Sequence, residues 1–78
     1  MKKTKMNDET VRYIIARLVE RADEAAQEHQ MDKSNKFESG RALAYYEMLD
    51  ILKTELDLND QDLKDYGLDI NLEARYLK

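Results

Sequence analysis

Apolar residues recur at Val11, Ile15, Leu18, Ala22 and Ala25, in steps of four and three, and Ile14, Val19 and Ala26 widen that stripe. This spacing follows one face of a 3.6-residue helix and is incompatible with the alternation of a half-buried strand. The other face carries Arg12, Arg17, Glu20, Arg21, Asp23 and Glu24. Arg17 with Glu20 and Arg21 with Glu24 stand at i,i+3, close enough to pair for a few tenths of a kcal/mol on a solvated face. Asn7 or Asp8 is placed to cap the first turn, and Glu9 suits the positive end of the helix dipole. The pattern predicts a first helix over residues 8–32 that fades between His29 and Lys33. Lys33-Ser34-Asn35-Lys36 reads as a turn, and Asn35 followed by Glu38 resembles a capping box.

A second helix is predicted over residues 36–57. At about 100° per residue, Phe37, Ala42, Ala44, Tyr45, Met48, Leu49, Leu52 and Leu56 occupy one broad arc. Ile51 and Tyr46 lie at its two edges, and Leu43 lies off it among polar residues. One neighbouring helix covers a narrow stripe, so this arc calls for more than one neighbour. Small residues, Ala22, Ala25 and Ala26 on the first helix and Gly40, Ala42 and Ala44 on the second, flank the turn. In an antiparallel hairpin they face one another and let the backbones approach closely. That packing is the expected reason for Gly40, which costs about 1 kcal/mol against Ala inside a helix. Met48 is expected in the core.

Beyond Leu56 the pattern changes. Asp57-Leu58-Asn59-Asp60 offers several caps, and Asp60 to Tyr66 suits a short helix ended by Gly67 as a left-handed residue. Leu68 and Ile70 are expected to pack back on the hairpin, with Asn71 capping a last helical piece from Leu72 to Leu77. The fold class is therefore all-α: an antiparallel two-helix hairpin with a short helical C-terminal segment over residues 58–78. Residues 1–7, with Lys2, Lys3 and Lys5, read as a flexible arm.

Composition narrows the class further. A chain of 78 residues makes a single small domain, and at this size only about 63% of the unfolded surface is buried on folding. A two-helix hairpin of that size does not bury the whole apolar arc, so dimerisation into a four-helix bundle is expected. The interface expected for it uses Leu43, Tyr46 and Ile51, the apolar positions left after the seam is filled, with Arg41 beside them. There is no cysteine and no proline, which excludes disulfides, thiolate metal sites and proline-rich architectures. Thirteen basic against 17 acidic residues give a net charge of −4, which argues against a general nucleic-acid binder. Residues 1–8 are polar with no apolar stretch behind them, unlike a signal peptide, and no run approaches the roughly 20 residues that span a bilayer. The expectation is a complete cytoplasmic gene product.

No residue set carries catalytic chemistry, so no catalytic, cofactor or metal residue is assigned. His29 is the only histidine, and without cysteine its nucleophile partners reduce to Ser34 and Ser39 in the turn region. His29 is expected at a helix end or interface. The stretch from Asp57 to Glu73 holds Asp57, Asp60, Asp62, Asp65, Asp69 and Glu73 against Lys64. A calcium loop fails there: counted from Asp57, Asp62 stands where Gly is needed and Leu68 where Glu is needed. Counted from Asp60, Lys64 stands at a ligand position. Isolated Gly40 and Gly67 make no phosphate-cradling loop.

Two stretches, Phe37-Glu38-Ser39-Gly40-Arg41-Ala42-Leu43-Ala44-Tyr45-Tyr46-Glu47-Met48-Leu49-Asp50 and Asp62-Leu63-Lys64-Asp65-Tyr66-Gly67-Leu68-Asp69-Ile70-Asn71-Leu72, resemble segments of small uncharacterised helical proteins of Gram-positive prophages and conjugative transposons. The resemblance covers the second half of the chain and implies an accessory protein of a mobile element, without catalytic residues to carry over. The function expected is a non-enzymatic protein–protein interaction or scaffolding protein, acting as a homodimer or on an unidentified protein partner. The competing expectation is a regulator of nucleic-acid transactions, through the lysine arm or by acidic mimicry of DNA.

Overall fold

The structure, a computed structural model, describes residues 7–77. Two long helices, α1 (Asp8–Met31) and α2 (Lys36–Leu58), are followed by a single 3₁₀ turn (Leu63–Tyr66) and a short helix, α3 (Leu72–Tyr76). The helices meet their ends where the sequence supplies partners for orphan backbone groups. Asn7 Oδ1 accepts the Thr10 amide at 2.8 Å, and the Asp32 amide closes α1 on the Glu28 carbonyl at 3.2 Å. Asn35 Oδ1 accepts the amides of Phe37 and Glu38 at 3.0 and 3.2 Å. Glu38 does not complete a reciprocal box; its carboxylate accepts from Arg41 Nη1 at 3.0 Å. The four-residue connection turns α2 back along α1 as an antiparallel hairpin.

In the C-terminal segment the left-handed stop at Gly67 forms as expected, but the short helix expected from Asp60 to Tyr66 is a single 3₁₀ turn that begins only at Leu63. Asp62 Oδ1 caps the 3₁₀ turn from the Lys64 amide at 3.0 Å. Gly67 ends it at φ 73°, in the left-handed region that suits glycine. The Leu68 amide donates back to the Leu63 carbonyl at 2.9 Å, the 6→1 bond of a helix-terminating motif. Asn71 Oδ1 caps α3 from the Ala74 amide at 3.1 Å. Of the arm expected over residues 1–7, with its three lysines, only Asn7 lies among the described residues.

Ile15, Ala22, Leu49, Tyr66, Leu68, Leu72 and Tyr76 form one buried cluster. The last four come from the C-terminal segment. That segment is thus a third wall of the core, not a flap laid over a finished hairpin. Polar clamps hold it down. Asp23 on α1 accepts Arg75 Nε and Nη2 at 3.0 and 2.9 Å and the Tyr76 hydroxyl at 2.8 Å. Lys53 on α2 donates to the Ile70 carbonyl at 2.6 Å. The guanidinium of Arg12 stands 5.9 Å from the centre of the Tyr66 ring, within cation–π range.

Three expectations about packing need correction. Ala22, Ala25 and Ala42 are buried as the close-approach argument requires, but Gly40 and Ala44 turn outward. A methyl group at Gly40 meets nothing within 4 Å, so close packing is not why glycine stands there, and no contact in the structure explains it. Met48, expected in the core, is 43% exposed.

Candidate interaction face

The broad apolar arc of α2 divides into two stripes. Ala42 and Leu49 are buried, and Tyr45, Leu52 and Leu56 pack half-buried against the core cluster. They define the stripe that meets α1. About 120° away round the helix axis run Phe37, Ala44, Met48, Ile51 and Leu58. Ala44 is exposed, and Phe37 is 72% exposed, Ile51 63% and Leu58 71%. These positions follow one another at spacings that average close to seven residues per two turns, the repeat of a helix seam that expects a facing helix. Among the described residues, no part of the chain covers this stripe.

The four residues expected at an interface do not form one patch. Ile51 lies on the exposed stripe. Leu43 is 46% exposed but stands apart, flanked round the helix by Glu47, Asp50 and Thr54. Tyr46 packs half-buried on the core cluster, turned toward the C-terminal segment. Arg41 is half-buried and held by Glu38. By helical phase the four span some 220° of α2. The C-terminal segment claims Tyr46, which separates it from Ile51. The signal that finds the exposed stripe is the spacing through Phe37, Ala44, Met48, Ile51 and Leu58 taken by itself.

The other side of α2 borders a cleft of about 590 Å³ under the C-terminal segment. Asp50, Asp57, Asp69 and Glu73 line it, with Lys53 and Tyr46 among them, and Leu58 at the C-terminal end of the exposed stripe also borders it. Lys53 is engaged with the Ile70 carbonyl. Partial burial raises the Tyr46 hydroxyl above the ordinary phenol range, and the carboxylates of Asp50, Glu73 and Glu47 push it the same way. An anionic ring oxygen is disfavoured in this setting, and Tyr46 packs on the core cluster as a neutral group.

Nothing assembles around the titratable groups weighed for catalysis. His29 is half-buried on the hairpin seam, and its Nδ1 is buried without a hydrogen-bond partner. The Ser34 hydroxyl donates to Asp32 at 3.1 Å. Among the described residues no group of three or more His, Asp or Glu side chains is placed to hold a metal ion. None of the helices among those residues is long and apolar enough to cross a membrane.

No family model matches the chain, and no curated protein and no solved structure is significantly similar to it.

Proposed function

We propose that this chain is a non-enzymatic protein–protein interaction or scaffolding module that acts as a homo-oligomer. One observation carries the reading: the second apolar stripe of α2, from Phe37 through Met48 and Ile51 to Leu58, is exposed along its length. A single exposed leucine needs no explanation, whereas a row of large apolar side chains along one helix face, interrupted only by Glu55 between Ile51 and Leu58, marks a contact surface. The resemblance of residues 37–50 and 62–72 to small mobile-element proteins supports, within the same proposal, an accessory role in such an element, carried out in the cytoplasm.

Sedimentation of the full chain over a hundredfold concentration range tests this. Concentration-dependent association that weakens when Met48 is replaced by Glu is the expected result. A strictly monomeric protein across that range, with the stripe intact, overturns the homo-oligomer.

The acidic cleft favours a second reading, capture of a basic protein by a surface that mimics the charge of nucleic acid. That reading expects binding of a polycationic probe that weakens steeply with salt and is lost on replacing Asp50 and Asp57 by Asn. The lysine arm, the other route to nucleic acid, lies outside the described residues.

A further inference from the structure

We propose that the exposed stripe of α2 pairs with the same stripe of a second copy, antiparallel, about a two-fold axis that passes between Ala44 and Met48. This rests on the reading of the stripe as an oligomerisation surface and names its partner and direction.

The charges beside the stripe select the direction. Its N-terminal half is bordered by Lys36 and by Arg41, which is paired with Glu38 within the same helix, and its C-terminal half is bordered by Glu47 and carries Glu55 on the stripe itself, between Ile51 and Leu58. Parallel pairing sets Lys36 and Arg41 beside their own copies, and Glu47 and Glu55 beside theirs. Antiparallel pairing brings the basic half of each helix against the acidic half of the other. Helix dipoles agree with the same choice. Like charges at close quarters select against a wrong partner, and complementary ends fix the register.

Side-chain size selects the centre. Ala44 is the smallest residue of the stripe and Met48 the most adaptable, so the backbones approach most closely between them and Met48 fills the gap. Phe37 and Leu58 then lie at opposite ends of each helix, and the Phe37 of one copy stands near the Leu58 of the other. The surface is large enough for this role. Phe37 is 72% exposed, which leaves roughly 140 Å² of a large aromatic side chain in water. With Met48, Ile51 and Leu58, 43%, 63% and 71% exposed, the apolar side chains offer roughly 450 Å², a little over half of the ~800 Å² per partner of a standard interface, and the polar residues beside them supply the rest. A pair of identical surfaces about a two-fold axis closes on itself and leaves no second face to propagate.

The absence of cysteine makes the geometry directly readable. Single variants Phe37→Cys, Met48→Cys and Leu58→Cys are treated with a short thiol-reactive linker of about 10 Å, after melting curves show that each folds. With the axis at position 46, the two copies of residue 48 lie within about 6 Å of one another along the helix axis, and the two copies of residue 37 about 27 Å apart. The expected result is cross-linked dimer from Met48→Cys alone, none from Phe37→Cys or Leu58→Cys alone, and cross-linked dimer from the mixture of those two. A second arm reverses charge: Arg41→Glu and Glu55→Arg each weaken association at least tenfold, and the double variant recovers most of it. Sedimentation that shows a dimer in which all three single-cysteine variants cross-link to themselves overturns the antiparallel arrangement and leaves the oligomer standing. A dimer in which none cross-links overturns the use of this stripe. A monomer at every concentration overturns both the pairing and the reading beneath it.

Discussion

Asp23 is the point at which the C-terminal segment is fastened to α1, and replacing it by Ala tests how that fastening divides between charge and hydroxyl. Its carboxylate accepts two bonds from Arg75 and one from Tyr76. The Arg75–Asp23 pair is geometrically good, but both side chains are more than 40% exposed. A pair so placed contributes about 0.5–1 kcal/mol, and salt screens it. The Tyr76 hydroxyl sits on a ring that is 2% exposed, so its bond is better shielded and contributes about 1–1.5 kcal/mol. Asp23→Ala therefore costs about 2 kcal/mol, Tyr76→Phe about 1 and Arg75→Ala less than 1. For a domain of this size 1 kcal/mol lowers the melting temperature by about 4–8 °C. Thermal melts followed by circular dichroism, at one protein concentration and in low and high salt, separate the contributions. The Arg75→Ala loss should vanish in high salt, and the Tyr76→Phe loss should persist. If Arg75→Ala costs as much as Asp23→Ala and Tyr76→Phe costs nothing, the division argued here from burial is wrong.

Tyrosine ionisation extends the same argument to pH. Burial, and the hydrogen bond to Asp23, hold the Tyr76 hydroxyl well above the ordinary phenol range. A group whose folded pKa is raised stabilises below its unfolded value and loses that contribution as pH climbs toward the folded one. Stability should be level to about pH 10 and fall above it, and Tyr76→Phe should make the fall shallower in an alkaline titration of the melting temperature. The two glycines should respond with opposite signs in urea titrations. Gly67→Ala should cost about 1–2 kcal/mol, because φ is +73° there. Gly40→Ala should stabilise the hairpin by about 0.5–1 kcal/mol, because its surroundings are open. Lys53→Met should lower stability by about 1 kcal/mol, since it removes the donor to the Ile70 carbonyl while keeping the stem; an unchanged urea midpoint would show that bond to be worthless.

Local elements were legible because their signals are local. Asn7, Asn35 and Asn71 each cap the element they precede, and Gly67 stops the 3₁₀ turn where a left-handed residue is required; the start of that turn was not legible, because Asp62 caps it and none of Asp57 to Asp60 does. The width of the α2 arc was legible too, as a demand for more than one neighbour. Which neighbour takes which part was not. Tyr46 and Met48 are both apolar in body and both near the arc. Tyr46 is claimed by a segment whose closest approach depends on the turn angles at Asp60 and Gly67, some 14 to 21 residues away. Position on a wheel carries no information about such a long-range choice. The clamp at Asp23 was hidden for the same reason, since its partners lie 52 and 53 residues further along. As one acidic residue on a charged face, Asp23 looked like its neighbours.

The placement of the C-terminal segment also decides where a partner can approach. It fills one side of the hairpin, against Asp23 and Val19 of α1 and Tyr46 and Lys53 of α2, and closes that side with Tyr66, Leu68, Leu72 and Tyr76. Away from the seam, α1 turns the Arg17–Glu20 and Arg21–Glu24 pairs to water. Those pairs contribute little to stability, but their desolvation is costly enough to deter an apolar partner. What remains is the outer stripe of α2, apolar at its centre and oppositely charged at its two ends. The three walls thus differ: α1 turns its ion pairs to water, the C-terminal segment supplies more than half of the buried cluster, and α2 bears two apolar stripes, one committed to the fold and the other, in the dimer proposed for it, turned to a second copy.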